Sequence, residues 1–209
     1  MMKDALHLVL ACDYRVSDPE ELWEQLCANQ QSLDQIGAHH VVMYAALREP
    51  GRIFVTVGIH NGRPVDEVVR SPLVFKWFDL ADVEEIPPVF AGEMVEKIDV
   101  GDRDRDVAPT GIIVAAIAPV TDLPTLLDNV QIALRRFCNA GVRKVWIYRA
   151  VDDGNEVMIL QEVDSETSAG RWVDHPDHAA EWMSTAGVGP YPPLFVGTVL
   201  HVMNVDPRS

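Results

Sequence analysis

The amino-acid sequence predicts an α+β fold. It reads as two tandem ferredoxin-like βαββαβ repeats whose antiparallel four-stranded sheets face each other as an α/β barrel within one chain. Three observations carry that prediction. The first is an internal repeat: residues 87 to 100 read PPVFAGEMVEKIDV and residues 192 to 205 read PPLFVGTVLHVMNV, so Pro87, Pro88, Phe90, Gly92 and Val100 recur 105 residues later. Upstream, Asp18, Leu22, Gly37, Tyr44 and Pro72 recur as Asp122, Leu126, Gly141, Tyr148 and Pro176 at an offset of 104. Solenoid repeats run to about 20–50 residues, so a period this long marks a duplicated domain. The second observation is that both halves show the same element order, that of the split βαβ unit. The third is burial. LVLAC, VVMYAAL, IFVTVGI, IIVAAIA and VMIL are nearly unbroken apolar runs, whereas an antiparallel sheet with one wet face alternates apolar and polar residues. Helices can cover one face of each sheet, and the sheet of the other repeat is the available cover for the second.

In chain order, residues 5 to 12 have the length and apolarity of a strand. Ser17-Asp18-Pro19-Glu20-Glu21 then opens a helix, with Asp18 as N-cap and Pro19 at the first helical position. Leu22, Leu26, Leu33 and Ile36 form its apolar stripe, and Gly37 is placed to end it in the left-handed conformation. Residues 38 to 47 and 53 to 60 read as a hairpin joined by REPGR. Residues 65 to 82 carry helical signals, with Ser71 and Pro72 suited to a helix start. Pro87 and Pro88 precede the recurring strand. GDRDRDVAP, at 101 to 109, is the predicted linker, and the repeats are taken as 1–104 and 105–209. The second copy repeats the order: strand 111 to 118, helix 122 to 140 with Gly141 as its stop, strands 142 to 151 and 156 to 163 around a DDGN turn, a helical region with Trp172 and Trp182, and strand 194 to 205.

A chain of 209 residues with 48% hydrophobic content can bury about 70% of its unfolded surface without staples. Its net charge of −15, from 32 acidic and 17 basic residues, argues against nucleic acid or an anionic membrane as a partner. The basic cluster Arg135, Arg136, Arg143 and Lys144 falls largely at a helix end, where cations complement the dipole. Cys12, Cys27 and Cys138 have no pair spacing, as expected in a reducing compartment. The N-terminal apolar run is too short for a signal sequence, and no run reaches the roughly 20 residues of a membrane span. The expectation is a soluble, cytoplasmic protein, a monomer or modest homodimer, because a chain that pairs its own sheets needs no partner to cover them.

The element order, the apolar strands, and the segments SPLVFKWF with PPVFAG and HPDHAAEWM with PPLFVG resemble the dimeric α/β-barrel superfamily, which includes antibiotic-biosynthesis monooxygenase-like and haem-degrading proteins. The resemblance spans nearly the whole chain as two copies. It implies a small-molecule pocket for a hydrophobic or aromatic ligand. In the monooxygenase-like branch catalysis uses no metal or cofactor: the pocket positions an electron-rich aromatic substrate, and a polar network helps form the anion that reacts with oxygen. On that likeness His178, Trp182 and Tyr148 are the candidate catalytic residues. A non-catalytic ligand-binding or assembly protein is the alternative. Haem binding or degradation is a third reading, against which stands the lack of the family's Asn in both ALHLVLAC and GIIVAAIA.

The densest polar and aromatic group is Arg171, Trp172, Asp174, His175, Asp177, His178 and Trp182. His175 and His178, three apart, share a helix face and could in principle ligate a metal. A structural role accounts for the same residues, since His175 precedes a proline at the place of Ser71 and the two aspartates suit a helix N-terminus. No phosphate loop, nucleophile elbow, C-x-x-C or H-E-x-x-H occurs. The second half is expected to hold the functional pocket, because Trp146, Arg149, His178 and Tyr191 have plainer counterparts at Val42, Ala45, Val74 or its neighbours, and Ile86.

Overall fold

The computed structural model describes residues 8–60, 65–80, 86–100, 109–189 and 193–205. The first apolar run forms β1 (Leu8–Arg15). Asp18 caps α1 (Pro19–Ala28), its carboxylate accepting from the backbone N–H of Glu20 at 2.9 Å and of Glu21 at 3.2 Å. Leu22 and Leu26 turn inward. The single helix expected through Ile36 is interrupted at Asn29, whose side-chain amide donates to the Gln25 carbonyl at 2.8 Å. An Asn that bonds nearby backbone competes with the helical ladder. A short α2 (Gln30–Gln35) follows and buries Leu33. Gly37, at φ +83°, turns the chain into β2 (Ala38–Ala46), which pairs with β3 (Arg52–Ile59). The helical region after it is two helices, α3 (Val65–Val69) and α4 (Pro72–Leu80), because a proline cannot donate into a continuing helix. β4 (Val89–Asp99) closes the first copy.

The second copy runs β5 (Ile112–Pro119), α5 (Leu123–Asn139), β6 (Val142–Ala150), β7 (Glu156–Val163), α6 (Glu166–Asp174), α7 (Pro176–Thr185) and β8 (Phe195–Asn204). α5 is unbroken over 17 residues. The position 104 residues after Asn29 is Ala133, buried on the core side, and alanine is the best helix former. Asp122 repeats the capping of Asp18, accepting from Thr125 N–H at 2.8 Å. Gly141, at φ +86°, repeats Gly37.

The hydrogen-bonded strand order is β1-β3-β2-β8-β5-β7-β6-β4. The chain divides into two compact units, Met1–Glu93 with Val199–Ser209, and Met94–Thr198. Each of β4 and β8 therefore contributes part of its length to both units. The recurring motif sits at their starts: Phe90 and Gly92 pair with Ala11 and Val9 of β1, and Phe195 and Gly197 pair with Ala115 and Ile113 of β5.

In the first unit, Leu8, Leu10, Cys12, Val41, Met43, Ile53, Val55, Val57 and Ile59 pack with Leu22, Leu26, Leu33, Val68 and Phe78 of the helices. The alternate strand residues Val9, Ala11, Tyr44, Phe54 and Thr56 are buried as well. Both strand faces are covered, which is why these strands read as continuous apolar runs rather than with period two. The second unit shows the same pattern, with Leu126, Val130, Ala133 and Phe137 of α5 turned inward. No helix among the described residues is long and apolar enough to cross a membrane.

Candidate ligand cavity

In the second unit three helices converge without filling the space between them. α6 starts at Ser165, whose hydroxyl accepts from the Ser168 N–H at 3.1 Å, and carries Arg171 and Trp172 in its last turn. His175 ends α6 and precedes Pro176 at the start of α7, with no side-chain capping bond. α7 carries Glu181 and Trp182. Trp182 is buried and meets Phe137 of α5 edge-on, with ring centroids 5.0 Å apart at 67°, a favoured aromatic arrangement. Arg136, Phe137, Ala140, Ser168, Arg171, Trp172, His175, Glu181 and Trp182 border a cavity of about 400 Å³. That lies within the range of small-molecule sites, about 300–1,000 Å³. Its walls are aromatic and its rim is charged. None of Arg136, Arg171 or Glu181 makes an ion pair among the described residues.

In the first unit a much smaller space lies between strands and helices among the described residues. It is about 40 Å³, bordered by Leu10, Leu22, Leu26, Leu33, Val41, Val57, Trp77 and Phe78 among others. Three of these positions correspond directly: Leu33 to Phe137, Trp77 to Glu181, and Phe78 to Trp182. Burial in this apolar layer pushes the Cys12 thiol up to about 12, which leaves it an unreactive neutral thiol.

Of the residues singled out from sequence, Trp182 borders the cavity. The side chain of His178 lies outside the described residues. Tyr148 is on β6, paired with Met158, and is not among the residues that border the cavity. It shares a strand face with Trp146, and the buried Val145 and Ile147 occupy the other face, as alternation requires. The counterparts of those two, Val41 and Met43, pack against helices in the first unit. Burial pushes the Tyr148 hydroxyl up to about 12. At neutral pH it is a hydrogen-bond donor and not a phenolate base. Among the described residues no group of three or more His, Cys, Asp or Glu side chains is arranged to hold a metal ion.

One residue escaped the sequence reading. Gln161 stands in β7 between Val114 and Val145, is buried at 4% exposure, and its Oε1 has no hydrogen-bond partner among the described residues. The available signal was a polar residue inside the apolar run VMILQEV, 104 residues after Val57.

No protein family's sequence profile matches the chain, and no curated protein matches it in sequence. Its fold has solved counterparts. An anthrone oxidase-like protein superposes with a TM-score of 0.66 at 15% identity, covering 97% of this chain and 94% of its own. A monooxygenase-like protein from Listeria innocua matches with a TM-score of 0.53 at 14% identity, over 93% of this chain and 94% of its own. A chlorite dismutase from Candidatus Nitrospira defluvii matches with a TM-score of 0.51 at 11% identity, over 95% and 92%. At these identities the likeness concerns architecture, because unrelated functions share such folds. Full-length superposition and the doubled strand–helix order together show that this chain has the fold of the dimeric α/β-barrel proteins related to antibiotic-biosynthesis monooxygenases, built as a tandem repeat.

Proposed function

We propose that the protein binds a small aromatic molecule in the cavity of its second half and oxidises it with dioxygen, as a cofactor-independent monooxygenase acting on a hydroxylated aromatic or quinol-like substrate. The observation that carries this reading is the cavity itself: two indoles and a phenyl ring surround about 400 Å³ in the second half, whereas Leu33 and Phe78, at the places of Phe137 and Trp182, border a space of only about 40 Å³. The names of the anthrone oxidase-like and monooxygenase-like counterparts support the reaction class. The three cysteines are free thiols, in keeping with a reducing, aqueous compartment.

In this reading Trp172 and Trp182 hold the ring by stacking or edge contacts. Arg136 and Arg171 at the rim favour the anion left when a ring hydroxyl loses its proton. An electron-rich anion reduces dioxygen directly. One oxygen atom becomes a new carbonyl at a ring carbon that bore hydrogen, and the other leaves as water with the two hydrogens lost by the substrate, so the substrate supplies all four electrons that reduce dioxygen. His178 on α7 remains a candidate for the proton transfer.

Oxygen uptake measured with 1-naphthol and anthrone tests the reading. One mole of oxygen consumed per mole of quinone formed supports it. Saturable binding without oxygen uptake decides for a non-catalytic binding protein. Trp182→Phe should weaken binding by more than about 1 kcal/mol, the scale of a lost aromatic contact, and Trp77→Phe should leave it unchanged. Equal losses from both would place the ligand elsewhere.

A further inference from the structure

The cavity of the second half gathers cations in an acidic chain. Net charge is −15 overall, yet the last turns of α5 and α6 bring Arg136 and Arg171 to one rim. Both residues are exposed, and neither makes an ion pair among the described residues. The positions 104 residues earlier are Ser32 and Glu67, so one cation stands in place of a neutral residue and the other in place of a carboxylate. Glu181, which also borders the cavity, stands in place of Trp77. The two arginines and Glu181 leave one net positive charge, and their three counterparts carry one net negative charge.

A helix dipole favours a cation in each last turn. That demand sets the sign of the charge but not its aim, and Arg135, one residue away on α5, does not border the cavity. Arg136 and Arg171 come from two helices and border one cavity together with Phe137, Trp172 and Trp182. Aromatic walls with two guanidinium groups at their edge fit a ligand that joins an aromatic ring to an anion. A guanidinium presents a planar fork of N–H donors that matches the two oxygens of a carboxylate. Glu181 limits how much negative charge such a ligand can bring. A phosphate monoester carries about −1.5 to −2 at pH 7, which exceeds the single net positive charge, whereas a carboxylate matches it.

We infer that the cavity selects an aromatic carboxylic acid, with Arg136 and Arg171 as the specificity-determining residues that hold its carboxylate. This rests on the aromatic-ligand reading above and narrows the substrate class to hydroxylated aromatic acids. A carboxylate next to the ring hydroxyl places the same two cations beside the oxygen that becomes the anion in the reaction. The attraction comes from exposed charges and weakens with ionic strength, while contact of the ring with the indoles does not. An aromatic cavity without these cations disfavours a carboxylate, because removing a charge from water is costly. The sign of the preference is therefore diagnostic.

The experiment is equilibrium dialysis of the full chain against 1-naphthol, 1-hydroxy-2-naphthoate and 1-naphthyl phosphate at pH 7, where a phenolic hydroxyl is neutral and a carboxyl is ionised. It uses the wild type, Arg136→Gln, Arg171→Gln and, as a control on the same helix, Arg135→Gln. The wild type should bind 1-hydroxy-2-naphthoate about tenfold more tightly than 1-naphthol at low salt, and the phosphate ester no more tightly than the carboxylate. That preference should fall about threefold or more in each rim variant, persist in Arg135→Gln, and shrink as sodium chloride approaches about 1 M. An equal loss in Arg135→Gln assigns the effect to the general field of the helix end and overturns the inference. A preference untouched by both rim variants, or tighter binding of the phosphate ester, overturns it as well. Binding of 1-naphthol without preference for the acid also overturns it, while leaving the aromatic cavity standing. Binding of none of the three ends both readings. All three arginines are exposed, and should one rim variant fail to fold, the wild-type ratio and the other variant still decide.

Discussion

The two halves of this chain carry the same backbone and different chemistry. Asp18 and Asp122 cap equivalent helices, and Gly37 and Gly141 end them at φ +83° and +86°. A register shift interrupts the strand pairing at the same place in both, between Ala38 and His40 and between Val142 and Lys144. Around that shift the side chains differ completely. His39 and His40 share a 2.7 Å contact between ring nitrogens, and Gly58 opposite leaves room for both imidazoles. The second half places Arg143, Lys144 and Glu162 there, with Arg143 and Glu162 3.8 Å apart. The hairpins differ as well. Arg52 donates to Asp13 at 2.9 and 2.6 Å and also bonds Glu49, whereas the positions of Asp13, Glu49 and Arg52 are Ile117, Asp153 and Glu156 in the second half. Residues that set φ, caps and register have few substitutes, since each meets a specific backbone demand. Side chains facing a pocket or solvent are free to diverge once the frame is met. The aromatic cavity of the second half follows this rule, with Phe137 and Trp182 at the places of Leu33 and Phe78.

The largest effect should come from the core of the first unit. Leu33→Ala removes a fully buried side chain from tightly packed surroundings and should cost about 2–5 kcal/mol in urea unfolding. Phe137→Ala removes more atoms, but from the edge of an existing cavity, and should cost no more than Leu33→Ala. A clearly larger loss at Phe137 would mean that the second layer is packed as tightly as the first.

Next come the helix stops. An alanine Cβ at Gly37 would meet only Ile59 Cγ2, at 3.9 Å, so the loss should be the left-handed strain alone, about 1–2 kcal/mol. At Gly141 the Cβ would lie 2.5 Å from Ser168 Oγ and 2.6 Å from Asp164 Oδ1. Gly141→Ala should therefore lose about 1 kcal/mol more than Gly37→Ala, in the range of a small overpacking penalty. Equal melting temperatures for the two variants would show that Ser168 and Asp164 move aside freely.

The remaining effects separate the hairpins by pH. Arg52→Gln leaves Asp13 and Glu49 without their shared cation and should cost about 2 kcal/mol at pH 7. Hydrogen bonding to Arg52 holds the Glu49 carboxyl below its usual 4.5, so its contribution is present above pH 4.5 and lost as pH falls through the lowered value. Glu156 is raised from 4.5 by burial and by Asp152 and Asp153. Its contribution is the reverse, present below pH 4.5 and lost as pH rises through the raised value. Glu156→Gln should thus stabilise the protein by a few tenths of a kcal/mol at pH 7, as expected for relief of like charges, and leave stability at pH 4 unchanged. A gain of equal size at both pH values would exclude the electrostatic cause.

Much of the architecture was legible because its signals are local. A capping aspartate before a proline, a glycine after a helical stripe and a proline pair before a strand each act within a few residues, and their repetition 104 or 105 residues later revealed the duplication. Helix continuity was less legible. The stripe of Leu22, Leu26, Leu33 and Ile36 fits one helix, and only the bond from the Asn29 side chain to Gln25 decides that there are two. The candidate site was legible in part. Trp182 stood out as an aromatic among polar residues and does border the cavity, but Tyr148 is one residue out of phase with the helix-facing side of β6, and that phase depends on which strand face the helices cover.

The amino-acid sequence by itself determined the doubled strand–helix order and the burial of both strand faces, because caps, stops and apolar runs follow from chain-local sterics and hydrophobicity. Only the tertiary structure decided that β4 and β8 each serve two compact units, that three helices of the second half leave a cavity of about 400 Å³ between them, and that Gln161 is buried in β7. Pairing partners, packing volume and hydrogen-bond satisfaction are properties of residues distant in the chain, and no short stretch of sequence contains both members of such a pair.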